Sequence, residues 1–264
     1  MYAFTYSEPS NVSDAVAALA DPDAKPLAGG MTLLPTMKQR LASPSALVDL
    51  HAIPELAGIK REGDALVIGA MTKHFDVSTS DVVKGAIPAL AALAAGIGDP
   101  AVRNRGTIGG SLANNDPAAD YPSAALALGA TIATNKRTIA ADDYFQGMFE
   151  TALEAGEILT AVHFPIPEKA AYVKFANPAS RYALVGVFVA RTKSGVRVAV
   201  TGAGSNGVFR VPEMESALNA NFSADAIGSI KVDASQLSSD MHADAEYRAH
   251  LITVLAKRAV AAAG

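Results

Sequence analysis

The sequence predicts an α+β protein: a two-lobed N-terminal region, then a C-terminal domain in which a three-stranded antiparallel sheet precedes its helices. Three observations predict it. Short strand-like and helix-like segments alternate over residues 1–55, a hairpin and Ala/Leu-rich helices occupy the middle, and three β-rich segments come before two helical ones at the end. With 264 residues, 50% of them hydrophobic, the chain can bury a core large enough to divide into more than one unit.

Asn11 or Ser13 can cap a helix whose apolar face is Val16, Leu19 and Ala20, and AKPLAGG (24–30) reads as a strand running into a glycine turn. TLLPTMKQRLA (32–42) has a helical pattern with Pro35 in its first turn, where a missing N–H costs nothing, and SALVDL (45–50) is the next strand. These make an α/β lobe over residues 1–55. GIKREGDALVIGA (58–70) reads as a hairpin turning at Glu62-Gly63-Asp64 and opens a second, α+β lobe spanning residues 56–167. Within it, Ile87 to Gly98 is a helix started by Pro88, PSAALALGA (122–130) another, TIAT (131–134) a strand, Asp142 to Glu154 a helix and EILTAVHFP (157–165) a strand. PIPEK (165–169), with two prolines, is the linker to a domain over residues 168–264. There AAYVKFA, YALVGVFVART and GVRVAVTGA are strands, the last two joined at Lys193-Ser194-Gly195, and PEMESALNA and the 242–263 segment are helices.

Composition removes several functions. A formal charge of -4 without a cluster of Lys and Arg argues against nucleic acid or an anionic membrane as partner. The five histidines (51, 74, 163, 242, 250) include no i, i+4 pair and there is no cysteine, so disulfides, a thiol nucleophile and zinc or iron–sulfur ligation within the chain are not expected, and neither is any metal site. No apolar stretch is long enough to span a bilayer, and MYAFTYSEPS lacks the basic start and apolar segment of a secretory signal. The expectation is a cytoplasmic protein without a transmembrane segment.

Two glycine pairs stand at strand-to-helix turns, Gly29-Gly30 in LAGGMTLLP and Gly109-Gly110 in TIGGSLANNDPAADYP, each followed by a hydroxyl residue, Thr32 or Ser111. Such turns expose successive N–H groups without a Cβ in the way and can cradle a phosphate. A third motif, Gly202 to Gly207, spells GxGxxG after a strand, but Pro212 interrupts the helix that should follow and too little chain remains for a doubly wound sheet. It reads as a plain connection. Asp116 and Asp120 could form an acid/base pair; Asp116 reads better as turn chemistry and Asp120 as a ligand contact. No GxSxG elbow supports a serine hydrolase.

Together LAGGMTLLP, TIGGSLANNDPAADYP, GEILTAVHFP and YVKFA followed by SRYALVGV resemble the FAD-binding medium subunit of the molybdenum hydroxylases, the xanthine dehydrogenase and aerobic carbon monoxide dehydrogenase family. The likeness runs in order from residue 1 to about 205, with 78 residues from Gly30 to Ile108. It implies the two-lobed FAD-binding fold of the vanillyl-alcohol oxidase/PCMH type. It also implies FAD contacts from Ala28, Gly29, Gly30, Met31, Thr32 and Leu33 in the first turn and from Thr107, Ile108, Gly109, Gly110 and Ser111 in the second. Asp120 matches the family's ligand aspartate; Ile97, Leu159 and Lys174 fall at positions lining the flavin site, and Tyr182 where a ring can stand near the isoalloxazine. Met31 occupies a slot often polar in relatives, so its contact is through backbone or packing. Asn115 is variable there and receives no role.

No catalytic residue is assigned to this chain. The resemblance implies that a large molybdopterin cytosine dinucleotide subunit oxidises the substrate, a small [2Fe-2S] subunit passes single electrons, and this chain's FAD delivers them to an external acceptor, in a dimer of heterotrimers. Its length fits the carbon monoxide dehydrogenase-like branch; substrate (CO, aldehyde, purine or another N-heterocycle) and acceptor (quinone, NAD or oxygen) stay open. The alternatives are a self-sufficient FAD oxidase of the vanillyl-alcohol type and an assembly subunit that has lost its flavin.

Overall fold

The computed structural model describes residues 1–264. The first lobe is a parallel sheet in the order β1-β3-β2, from β1 (Thr5–Ser7), β2 (Lys25–Leu27) and β3 (Ala46–Asp49), with helices α1 (Val12–Ala18) and α2 (Leu33–Lys38) as crossovers. Parallel neighbours need such crossovers, because a tight turn can only reverse the chain. Asn11 is the cap of α1, its side chain accepting from the Asp14 N–H. The strands are short, and a small core of Ala15, Val48, Leu50, Ile53 and Met71 fills the space beneath α1.

The second lobe is a five-stranded antiparallel sheet in the order β4-β5-β10-β6-β7, from β4 (Ile59–Glu62), β5 (Ala65–Gly69), β6 (Thr131–Thr134), β7 (Thr138–Ala140) and β10 (Leu159–Pro165). Leu66, Ile68, Val162 and Phe164 put alternate side chains of its two central strands into the core. Helices α3 (His74–Thr79), α4 (Asp81–Ala86), α5 (Pro88–Ala95), α6 (Pro100–Arg103), α7 (Ile108–Asn114) and α8 (Tyr121–Leu128) lie between the hairpin and β6. All eight residues of α8 are buried, which is why its sequence has no polar face.

The segment expected to be helical from Asp142 to Glu154 folds otherwise. Only one turn, α9 (Ala141–Tyr144), is helical; a two-stranded hairpin of β8 (Phe145–Gly147) and β9 (Glu150–Thr151) follows. Asn115, some 30 residues upstream, donates through Nδ2 to the Gly147 and Glu150 carbonyls at 2.8 Å each and accepts from the Phe149 N–H at its own carbonyl. These bonds replace the helical ladder and hold Phe149 at φ 59°.

The C-terminal domain carries the three expected strands, β11 (Lys169–Ala176), β12 (Ala183–Thr192) and β13 (Gly195–Thr201), and a two-residue fourth, β14 (Phe209–Arg210), at one edge. Helices α10 (Pro212–Ala220) and α11 (Ala245–Ala263) cover one face, burying Val185, Val187 and Val189 against Leu251, Leu255 and Ala259. The other face joins the second lobe: Phe188, Ala190 and Ala199 belong to the same 31-residue core as α8. The sheet is therefore a partition with apolar packing on both sides, and all residues from Ala183 to Ala190 are buried.

Candidate functional site

A cavity of about 550 Å³ runs between the first two lobes and reaches the C-terminal loop at Ser180 to Tyr182. Ala28, Gly29, Gly30, Met31, Thr32 and Leu33 line it from the first glycine motif; Thr107, Gly109, Gly110 and Ser111 line it from the second; Ile97, Asp120, Leu159 and Tyr182 complete the wall. Of the residues named from sequence, Ile108 and Lys174 are outside the lining: Ile108 is fully buried behind it, and Lys174 reaches Asp120 from the side.

The first motif lies between β2 and α2. Gly30 has φ +72°, a left-handed conformation that glycine adopts without strain. A Cβ on Gly29 would lie 2.2 Å from the Arg105 carbonyl oxygen, so a side chain there would push the two lobes apart. The N–H groups of Gly29, Gly30, Met31, Thr32 and Leu33 make no hydrogen bond within the chain. Five successive open donors at a bend of this kind form a nest for an anion.

The second motif differs from the expectation of a bare turn. Gly109 and Gly110 lie in the first turn of α7, capped by Thr107, whose Oγ1 accepts from the Gly110 N–H at 3.1 Å. The Ile108, Gly109 and Ser111 N–H groups are bonded to the Thr72, Ala70 and Thr107 carbonyls. Neither glycine has positive φ. Their reason is space: a Cβ on Gly109 would stand 2.6 Å from Ala70 Cβ, and one on Gly110 would point toward Ala28, 3.6 Å away, where the two motifs face each other.

Asp120 precedes α8 and is 5% exposed. Its Oδ1 accepts from the Tyr172 hydroxyl and pairs with Lys174 Nζ at 3.0 Å; Nζ also donates to the Gly96 carbonyl at 2.8 Å. Burial pushes the Asp120 carboxyl up, opposed by Lys174 and the Tyr172 hydroxyl. Asp116 is turn chemistry, accepting from the Ala118 N–H at 2.9 Å. Tyr182 is 47% exposed at the mouth, its hydroxyl pKa raised by partial burial and by Asp116 and Asp120.

Three residues of the region carried no sequence signal. His74 opens α3, lines the cavity and packs against the Tyr121 ring with centroids 5.4 Å apart; burial, with Arg103 nearby, pushes its imidazole down to about 4, so it is neutral at pH 7. Burial works to raise Glu157, but bonds from Arg137, the Glu154 N–H and Thr134 hold its carboxyl at about 2. Asn115 is buried with φ 43° and organises the hairpin described above. No residue of the Gly202 to Gly207 connection lines the cavity: it joins β13 to β14, the Gly202 N–H donates to the Pro117 carbonyl behind the lining residues Asp116 and Ala119, and Gly204 pairs with Leu237.

Fold and site together define an α+β protein with a cavity between two lobes whose open N–H groups suit a phosphate-bearing cofactor. Residues 2–167 match the family described as "FAD binding domain in molybdopterin dehydrogenase". The chain belongs to that family and is an FAD-binding oxidoreductase subunit. It is 36% identical to the carbon monoxide dehydrogenase medium chain of Hydrogenophaga pseudoflava, over 98% of this chain and 96% of that one. It is 38% identical to the nicotine 6-hydroxylase medium subunit of Paenarthrobacter nicotinovorans, over 99% and 98%. The solved structure of reconstituted CO dehydrogenase from Oligotropha carboxidovorans superposes with a TM-score of 0.91 at 36% identity, covering 99% of this chain and 98% of that one. The residues present fit FAD. The cavity volume is in the range of cofactor sites, the nest suits a pyrophosphate, and a Cβ on Gly110 would fill the gap between the motifs. No helix is long and apolar enough to cross a membrane.

Proposed function

We propose that this chain is the electron-transfer subunit of a cytoplasmic, multi-subunit molybdenum hydroxylase. It takes electrons from a [2Fe-2S] subunit that serves a large molybdopterin subunit and passes them to an external acceptor. The observation that carries the reading is the nest of open N–H groups from Gly29 to Leu33 in a cavity closed by the second motif, in a chain without cysteine to hold a cluster of its own. Bound FAD supplies a two-electron store that can be filled one electron at a time.

The chain's own residues then have separable tasks. The Gly29 to Leu33 N–H groups neutralise the pyrophosphate, and the Thr107 to Ser111 turn closes over it. Asp120 accepts a hydrogen bond from the cofactor, while Lys174 offsets its charge. Ile97 and Leu159 supply apolar wall, and half-exposed Tyr182 guards the side open to solvent. Carbon monoxide and nicotine enzymes appear among relatives at nearly equal identity. That supports a module indifferent to the substrate, which the large subunit selects.

The test is to produce the chain alone and with its partners and follow flavin reduction on adding the complex's substrate. Bleaching only in the assembly, built as a dimer of heterotrimers, is the expected result. Bleaching of the lone chain by that substrate overturns the reading in favour of a self-sufficient oxidase.

A further inference from the structure

Asp120 is held by the C-terminal domain, from outside the 2–167 segment that the family match covers. Tyr172 and Lys174 are two apart on β11 and so project from one face of the sheet. Both reach the same carboxylate oxygen, Oδ1. No other side chain bonds Oδ2, and Asp120 is one of the residues lining the cavity.

The seat of Tyr172 is built. Its ring stacks on Phe188 of the adjacent strand, with centroids 6.0 Å apart and planes at 29°. Gly186 lies opposite Lys174 in the ladder, and a Cβ there would come within 2.4 Å of the Tyr172 hydroxyl oxygen, so only glycine leaves room for that hydroxyl. Of the two donors on Oδ1, Lys174 is on a flexible stem and shares its ammonium with Gly96 O, whereas the Tyr172 hydroxyl is fixed by its ring.

We propose that Tyr172 is a positioning residue for the cofactor: its hydroxyl, with Lys174, fixes the Asp120 carboxylate so that Oδ2 presents a lone pair to a hydroxyl or N–H donor of bound FAD. The proposal rests on the reading of the cavity as an FAD site. It makes the C-terminal sheet part of the binding apparatus of the two N-terminal lobes.

The experiment is a double-mutant cycle on the full chain with Tyr172→Phe, Asp120→Asn and the double variant. Each is titrated with FAD by quenching of flavin fluorescence, the visible circular dichroism of the bound flavin is recorded, and each flavin-free chain is melted. Tyr172→Phe should weaken FAD binding about 10-fold and change the visible circular dichroism, while the flavin-free melt falls by a few degrees because the bond to the buried carboxylate is already made without flavin. In the Asp120→Asn background the further loss from Tyr172→Phe should be less than about twofold, since the effect acts through the carboxylate. Unchanged affinity in Tyr172→Phe, or an equal loss in both backgrounds, overturns the positioning role while leaving the FAD site intact. A wild-type chain that binds no FAD overturns both, and so separates failure of the site from failure of this inference.

Discussion

Replacing Gly110 or Gly109 by alanine adds the same methyl to neighbouring residues of one helical turn, with opposite expected outcomes. At Gly110 the methyl would meet Thr107 Oγ1 at 3.0 Å and Ala28 Cβ at 3.6 Å and otherwise enter the cavity. Gly→Ala inside a helix is worth about 0.5–1 kcal/mol, which offsets the tight approach to Thr107, so the flavin-free chain should melt within about 2 °C of wild type. FAD, pushed out of register, forfeits one or two charge-assisted hydrogen bonds, and its Kd should rise about 10- to 100-fold. At Gly109 the methyl would stand 2.6 Å from Ala70 Cβ and 2.7 Å from its carbonyl oxygen, which also accepts the Gly109 N–H. Overpacking of this kind costs about 1–3 kcal/mol, a fall of roughly 2–10 °C in Tm with or without flavin. The assay is differential scanning fluorimetry of the flavin-free chains beside FAD titration. Wild-type affinity in the Gly110→Ala chain would refute the placement of the pyrophosphate between the motifs.

Other predictions follow from the same geometry. Gly204→Ala should lower Tm, because its Cβ would lie 2.3 Å from the Gly207 carbonyl oxygen, yet leave FAD stoichiometry unchanged; flavin loss from the folded variant would show that the third glycine motif binds. Asn115→Ala removes two hydrogen bonds and a residue suited to positive φ, so Tm should fall by about 4–10 °C, taking roughly 1 kcal/mol per bond and the backbone strain together; a melt equal to wild type would refute the hairpin's dependence on it. His74, lowered in the folded chain from 6.5 to about 4, contributes stability that is complete above pH 6.5 and lost as pH falls toward 4. The loss is about 3 kcal/mol, so in urea unfolding at pH 7 and pH 4.5 the His74→Phe chain should show a flatter pH dependence, and an unchanged slope would refute the assignment.

How far the sequence was legible depended on whether a residue's role was local. The Asn11 cap, the Lys193 turn and the continuous apolar run of β12 follow from neighbours in the chain, and each was readable. The turn from Gln146 to Phe149 was not, because the bonds that displace the helix come from Asn115. Gly109 and Gly110 were found for their spacing, but neither is required by φ: a Cβ on Gly109 would collide with Ala70 across the fold, whereas one on Gly110 would closely meet only Thr107 Oγ1 and otherwise enter the cavity. His74 sits among unremarkable residues in GAMTKHFDV, and nothing there reveals that Gly106 and Tyr121 will enclose it. The bond between Tyr172 and Asp120 spans 52 residues and ties the start of α8 to β11, beyond the reach of periodicity or capping.

The two-sided sheet has a consequence for biosynthesis. Phe188, Ala190 and Ala199 complete the same apolar core as α8, so the middle lobe cannot close until β13 has emerged from the ribosome. A nascent chain ending near residue 170 would carry one wall of that core naked, with Ala- and Leu-rich helices exposed to water. Such an intermediate is a chaperone substrate, and translation pauses placed between β11 and β13 would lengthen the interval in which the newborn polypeptide can aggregate.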